Sequence, residues 1–391
     1  VVTLLGVTAC GGGGSGSARR PLGDAAIGAA DVVARAGVFQ QPVDAAPTTT
    51  GRNVYFVATG EQGPAVYQVP AGGGVPSVVA VGGPLTRPTN IVVSTDNSHV
   101  YVADPEVPQP PTAGAAASAL SGGGASGTSG SSATSGASGR GTSSSGGGAS
   151  GGAASGGGTS GGSSGGSSAV PGTPAGVGTK GAAGAGTGAI LVVPVSGPSS
   201  TQGIPQAPTV VPGTRGLSPR GLDIVNQGDS DLIYFTGTDP SNGLPGLFEV
   251  STAGGSVTTL AEGAPLVHPD SVAVTANGIA YVTDQGSQAG QGMLSRVDGG
   301  TVTPVLRGLT LGSPAGVVLV DNDATAVISS LHPTTLGDQL LFFEIATGKT
   351  VVAANAVGAN MSSSGGLHRA HNASVLTFAD TRGMVFRIRY S

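Results

Sequence analysis

The stretch "RPTNIVVSTDNSHVYVADP", residues 87–105, runs from a proline through a short apolar segment and a polar turn into a second segment with a tyrosine and a final aspartate. β-branched residues on either side of a Ser-Thr-Asp-Asn cluster predict two strands joined by a tight turn. The same order of events recurs from Pro42 ("PVDAAPTTTGRNVYFVAT"), Pro219 ("PRGLDIVNQGDSDLIYFTG"), Pro269 ("PDSVAVTANGIAYVTD") and Pro314 ("PAGVVLVDNDATAVISS"). With Ser364 in the place of proline it recurs again as "SGGLHRAHNASVLTFAD". A third strand follows in every unit: "AVYQV", "AILVVPV", "GLFEV", "MLSRV", "LLFFEI" and "MVFRI". Most units then pass a Gly-rich hairpin into a fourth, such as "PSVVAV", "SVTTLA", "TVTPVL" or "KTVVAA". Four strands in roughly 45–50 residues is the size of one blade of a β-propeller, so six units predict an all-β, six-bladed ring over residues 31–391.

The starts are spaced by 46, 131, 50, 45 and 50 residues, so one interval holds additional chain. From Pro105 to Gly188 the sequence is Gly, Ser, Ala and Thr with scattered Pro, and Glu106, Arg140 and Lys180 are its charged residues. Such a tract buries too little apolar surface to offset a backbone ordering cost of about 1–2 kcal/mol per residue, and is expected to be disordered. It interrupts the second blade between its second and third strands. A flexible loop adds only about 0.6 kcal/mol per doubling of length, so the blade tolerates it.

The sixth unit stops after three strands, which would leave a bare sheet edge. "DVVARAGVF", Asp31 to Phe39, supplies the missing strand if it pairs with "MVFRIRY" and so closes the ring. Propensity alone also allows a short Ala-rich helix in "DAAIGAADVVARAG".

A net charge of −5, a pI near 5.4 and 16 Lys and Arg without a run or stripe argue against nucleic acid as a partner. No segment has the 18 or so apolar residues of a membrane span. The single cysteine, Cys10, allows neither an internal disulfide nor a cysteine zinc cluster. It follows "VVTLLGVTA" and precedes "GGGGSGS", which resembles the end of a bacterial lipoprotein signal without its initiator Met and basic start. That resemblance implies residues 1–10 as a signal remnant ending in a lipidated Cys10, residues 11–30 as a flexible tether, and a membrane partner through the lipid. With Gly11 after the cysteine, it implies the outer membrane of the cell envelope. A clipped secretory signal, or an N-terminal strand with a chance cysteine, is the alternative.

The blade itself, with proline, small residues, an apolar strand, an Asp/Asn-Gly turn and "VYVAD", resembles the NHL and SMP-30/gluconolactonase propellers over residues 31–391 outside the insert. One blade design serves enzymes, binders and scaffolds, so the resemblance implies architecture more than activity. In the lactonase branch Glu, Asn and Asp hold a divalent metal near the axis. Here "QQP" puts Gln40 where that family has a carboxylate, "RPTN" puts Asn90 one position late, and "HPDS" keeps Asp270 in register. A shift of one residue turns a strand side chain to the opposite face, so the metal set is incomplete. The resemblance leaves Asp270 as the candidate ligand for a divalent ion such as calcium. Candidates for a channel or ligand site are Asp44, Asn90, Asp223, His268 and Asp270. They are expected on the face that carries the loops between second and third strands and the inter-blade connections.

Other patterns fail on context. "GKT" at Gly348 lies in a strand hairpin, "DND" at Asp321 and "DSD" at Asp229 lack the offsets of a calcium loop and read as solvated turns, and "GASGG" around Ser150 lies in low-complexity sequence. His368 and His371 read as turn residues. Tyr55, Tyr101, Tyr234 and Tyr281 form a column expected to pack between blades. The function expected is a cell-envelope propeller that binds a partner protein or ligand on its loop face, without a cofactor. The alternatives are a divergent metal-dependent lactonase-like hydrolase and a scaffold whose insert is a spacer.

Overall fold

The computed structural model describes residues 26–108, 187–195, 205, 207–228, 230–288, 290–353 and 364–391. These residues form six four-stranded antiparallel sheets and no helix. Strand β1 spans Ile27–Arg35. Blade 1 holds β2 (Phe39–Pro47), β3 (Asn53–Gly60), β4 (Gly63–Pro70) and β5 (Ser77–Val81). Blade 2 holds β6 (Asn90–Val93), β7 (His99–Asp104), β8 (Ala189–Pro194) and β9 (Thr209–Val210). Blade 3 holds β10 (Leu222–Gln227), β11 (Ser230–Thr238), β12 (Pro245–Ser251) and β13 (Thr258–Glu262). Blade 4 holds β14 (Pro269–Val274), β15 (Ala280–Asp284), β16 (Gly292–Asp298) and β17 (Thr301–Leu309). Blade 5 holds β18 (Val317–Val320), β19 (Thr325–Leu331), β20 (Asp338–Glu344) and β21 (Lys349–Ala353). Blade 6 holds β22 (Ser364–Arg369), β23 (Val375–Asp380) and β24 (Met384–Tyr390), with β1 as its outer strand.

The ring therefore closes through its first strand. β1 pairs antiparallel with β24 from Ile27↔Tyr390 through Val32↔Phe386 to Arg35↔Met384. This strand starts earlier and ends earlier than the sequence suggests. Residues 27–30, read as tether, belong to the sheet because Tyr390 and Ile388 offer them a ladder, and Phe39 opens β2 instead. A helix in this segment would leave that ladder open and Val33, Ala34 and Ala26 unburied.

The core is divided into six apolar clusters, one between each pair of neighbouring blades. Tyr55 of blade 1 packs with Ile91, Val93 and Val102 of blade 2, and Tyr101 packs with Leu222 and Ile224 of blade 3. Tyr234 meets Val272 and Val274 of blade 4, and Tyr281 meets Val317 and Leu319 of blade 5. The tyrosine column thus packs between blades as expected. Phe342 and Phe378 join blades 5 and 6, and Val33, Val385 and Ala379 join the closing blade to Phe56 and Val54 of blade 1. In the ring each sheet buries both faces against its neighbours, at about 25 cal/mol per Å² of apolar surface withdrawn from water.

The long insert does join β7 to β8 inside blade 2. Its two ends are ordered, which shortens the 105–188 tract expected to lack structure. Val107 is buried, the Gly188 N–H donates to the Val107 carbonyl at 3.1 Å, and the Thr187 hydroxyl donates to the Pro105 carbonyl at 2.9 Å. The rest of that expectation, like the readings of Cys10, of residues 11–25 and of the pattern at Ser150, lies outside the described residues.

Candidate functional site

The innermost strand of each blade has no sheet neighbour on its axial side, so its N–H groups there need acceptors from elsewhere. Four of the five candidate residues provide them. Asp44 Oδ2 accepts from the Ile91 N–H of blade 2 at 2.9 Å, and Asn90 Oδ1 accepts from the Leu222 N–H of blade 3 at 2.9 Å. Asp223 Oδ2 accepts from the Val274 N–H of blade 4 at 2.7 Å, and Asp270 Oδ2 accepts from the Ala315 N–H leading into blade 5 at 2.5 Å. Each side chain thus reaches forward to the next blade. Elsewhere the blades meet backbone to backbone: a Cβ on Gly316 would lie 2.1 Å from Leu367 N, and one on Gly221 would lie 2.2 Å from the Asp270 carbonyl oxygen. Close approach through glycine and bridging through Asp or Asn are two solutions to one seam.

The five do not form one group: Asp44 and Asn90 meet at the buried His368, and no hydrogen bond among the described residues joins Asp223, His268 or Asp270 to them. Asp270 and His268 lie at the start of β14, on the face of the inter-blade connections; Asp223 pairs with Tyr234 as Ala273 pairs with Tyr281, three residues further along the unit than Asp270. His268 is exposed, and its backbone N–H donates to Asp284 at 3.1 Å. Asp270 is buried, and burial raises its carboxyl pKa to about 6 against the bonds from Ala315 and Gln285. Among the described residues no group of three or more His, Cys, Asp or Glu side chains could hold a metal ion. The residues present do not fit the divalent site implied by the lactonase resemblance, because Asp270 holds the blade junction through the Ala315 N–H, and the nearby Asp284 carboxylate is taken up by the Val267, His268 and Gly286 N–H groups.

The structure does assemble a constellation that the sequence reading passed over. His368 lies in β22, nine-tenths buried, with Nε2 2.8 Å from Asp44 Oδ2 and 3.2 Å from Asn90 Nδ2. The Asn90 carbonyl oxygen takes the Leu222 N–H, so its amide nitrogen faces the imidazole. The Asp44 carboxylate can only accept, so Nε2–H donates to it and keeps no lone pair for the amide N–H. Burial pulls the affinity of His368 for its second proton down. The Asp44 charge and hydrogen bond, helped by Asp223, outweigh burial and leave the pKa raised. His368 Nδ1 makes no hydrogen bond to the described residues.

His368, Arg369, His371 and Asp223 share an axial slot with Val92 and Val318. The slot is narrow, with about 30 Å³ open to the centres of water molecules. Burial raises the Asp223 pKa, against the pull of His371 and Arg369 and the N–H of Val274. The pKa of His371 is lowered, first by burial, and Asp223 only partly offsets this. Solvent still reaches the His371 ring, which stands at the open end of the slot. A larger recess of about 400 Å³ lies outside the ring, between β1 and the Gly73–Pro76 turn, beside the exposed Val75.

Placing His368 in a turn is corrected, because it is a strand residue and the turn begins after Arg369; His371 lies in that turn, as read. The signal for His368 was the repeat itself, since four residues beyond the unit start stand both Asp223 and His368. The "DND" and "DSD" carboxylates are likewise not merely solvated. Asp231 accepts from Thr95 Oγ1 at 2.6 Å and Thr95 N at 2.9 Å, and Asp323 accepts from Ala276 N at 3.0 Å, so these turns cross-link neighbouring blades.

No protein-family model and no curated protein matches the sequence. Among solved structures, the chain is similar to the PQQ-bound form of an aldose sugar dehydrogenase from Streptomyces coelicolor. The identity is 11%, the alignment covers 95% of this chain and 100% of that one, and the TM-score is 0.55. A gluconolactonase from Xanthomonas campestris aligns at 12% identity over 95% and 99% of the two chains, with a TM-score of 0.47. TolB from Acinetobacter baumannii aligns at 12% identity over 91% of this chain and 65% of that chain, with a TM-score of 0.41. The first of these likenesses supports the propeller fold.

Proposed function

We propose that this chain is a binding propeller, presented from the bacterial cell envelope by a lipid on Cys10 in the outer membrane, that holds a partner protein on the face of its inter-blade connections. The carrying observation is the distribution of exposed apolar side chains. Of the seven large ones among the described residues, Val38, Leu244, Val267 and Leu336 all project from connections on this face. Exposed apolar side chains gathered on one face favour that face for protein contact. The 105–188 insert leaves β7 and returns to β8 on the same face. The hydrolase reading has less support, because Asp44, Asn90 and Asp270 are engaged in blade-to-blade bonds.

Three measurements test this reading. Calcium, zinc or manganese at a hundredfold excess over a dissociation constant would add about 2.7 kcal/mol of stability to a protein with a metal site. A flat melting temperature with each ion is expected, and a rise with any of them would reinstate the hydrolase. Cys10→Ser is expected to release the protein from the membrane fraction, and continued retention would remove the anchor. Partner capture by the intact chain should fail in Leu244→Asp/Leu336→Asp and survive in Val75→Asp, on a different surface; capture that ignores the first pair would remove the proposed face.

A further inference from the structure

The closing blade is tied at the axis by charge as well as by its sheet. β22 and its turn carry three cationic or titratable side chains, and each faces a carboxylate of a different blade. His368 meets Asp44 of blade 1 at 2.8 Å, Arg369 Nη2 lies 3.6 Å from Asp323 Oδ1 of blade 5, and His371 shares the slot with Asp223 of blade 3. The first pair is the most deeply buried, with Asp44 inaccessible to solvent and the His368 side chain 9% exposed. It joins the blade completed by β1 to the blade that follows it, so it spans the seam where the ring closes.

We propose that the Asp44–His368 pair is a proton-operated latch on this seam: protonated His368 draws the inner strand of blade 6 against blade 1, and loss of the proton slackens the closure. The latch is independent of any bound partner. The polar groups that face His368 are Asp44 from β2, Asn90 from β6, Asp223 from β10, and Arg369 and His371 from its own strand and turn. β14 and β18 present Val272, Ala273, Val274, Val317, Val318 and Leu319 to the slot and add no charge. Asp323 acts through its pair with Arg369.

The direction follows from linkage. His368 has a folded pKa above its ordinary 6.5, so its contribution is complete below 6.5 and is lost as pH rises through the folded value. His371 has a folded pKa below 6.5, so its contribution is complete above 6.5 and is lost as pH falls through the folded value. The two histidines therefore shape opposite limbs of the stability profile, and substitution separates them.

The experiment is urea unfolding of the full chain between pH 5.5 and 9 for the unmodified protein, His368→Gln and His371→Gln, with the imidazole resonances of the unmodified protein followed by NMR. The unmodified protein should lose urea midpoint as pH rises above 6.5, His368→Gln should lack that fall, and His371→Gln should keep it. The His368 ring should titrate above 6.5. The same alkaline fall in His368→Gln, or a ring that titrates below 6.5, overturns the latch. If His368→Gln does not fold, the ring titration decides alone, and with five histidines in the chain it can be assigned.

Discussion

Ring closure by β1 is most directly tested at Val33, which is 2% exposed and shares a cluster with Val385, Ala379 and Phe56. Val33→Ala removes two methyl groups from a packed site. At about 0.8 kcal/mol per buried carbon plus a cavity contribution, the expected loss is about 2 kcal/mol. Val75, 82% exposed on the neighbouring hairpin, is the control, and Val75→Ala should change stability by less than about 0.5 kcal/mol. Urea unfolding of both variants, of Val385→Ala and of the double variant Val33→Ala/Val385→Ala completes a cycle. Side chains in one cluster should couple by at least about 0.5 kcal/mol. A silent Val33→Ala, or additive behaviour within about 0.3 kcal/mol, would mean that β1 does not seat on β24, and the closed ring would be refuted.

Gly316→Ala would force a Cβ against the Leu367 backbone of the next blade and should cost at least about 2 kcal/mol, whereas Gly72→Ala, with open space around it, should be nearly neutral by the same urea assay. Asp270 is expected to make stability fall as pH rises from 3.8 to about 6, because the folded state favours its protonated form. Asp270→Asn should gain on the unmodified protein across that window, by about 3 kcal/mol at most; a gap that stays constant with pH would show that burial does not control this carboxyl.

The blade was legible in the sequence because its signals are local: strand period, Asn/Asp/Gly turns and the tyrosine column all lie within one unit. Closure was legible because a three-stranded last unit needs a fourth. The limits of β1 were less so, since Ile27 and Gly28 become strand only through β24 at the other end of the chain. His368 shows the same limit more sharply. Its burial depends on Asp44, 324 residues away, while its immediate neighbours, "LHRAHNAS", read as turn chemistry. Asp44, Asn90 and Asp223 stood out as polar residues near the unit starts, yet their bonds to the next blade were hidden because an unpaired inner edge is a property of the assembled sheets. The turn carboxylates Asp231 and Asp323 were misread for the same reason: their acceptors' partners, Thr95 and Ala276, belong to other blades.

Pairing β1 with β24 also sets an order of events during biosynthesis. The segment that leaves the ribosome early cannot find its mate until residues 384–390 have been made. Earlier sheets can assemble one by one, but a nascent chain halted before that point would be an open arc, with raw strands at both ends and the Asp44 carboxylate still lacking its imidazole. Synthesis of β24 is thus the step that converts an adhesive, degradable intermediate into a durable product.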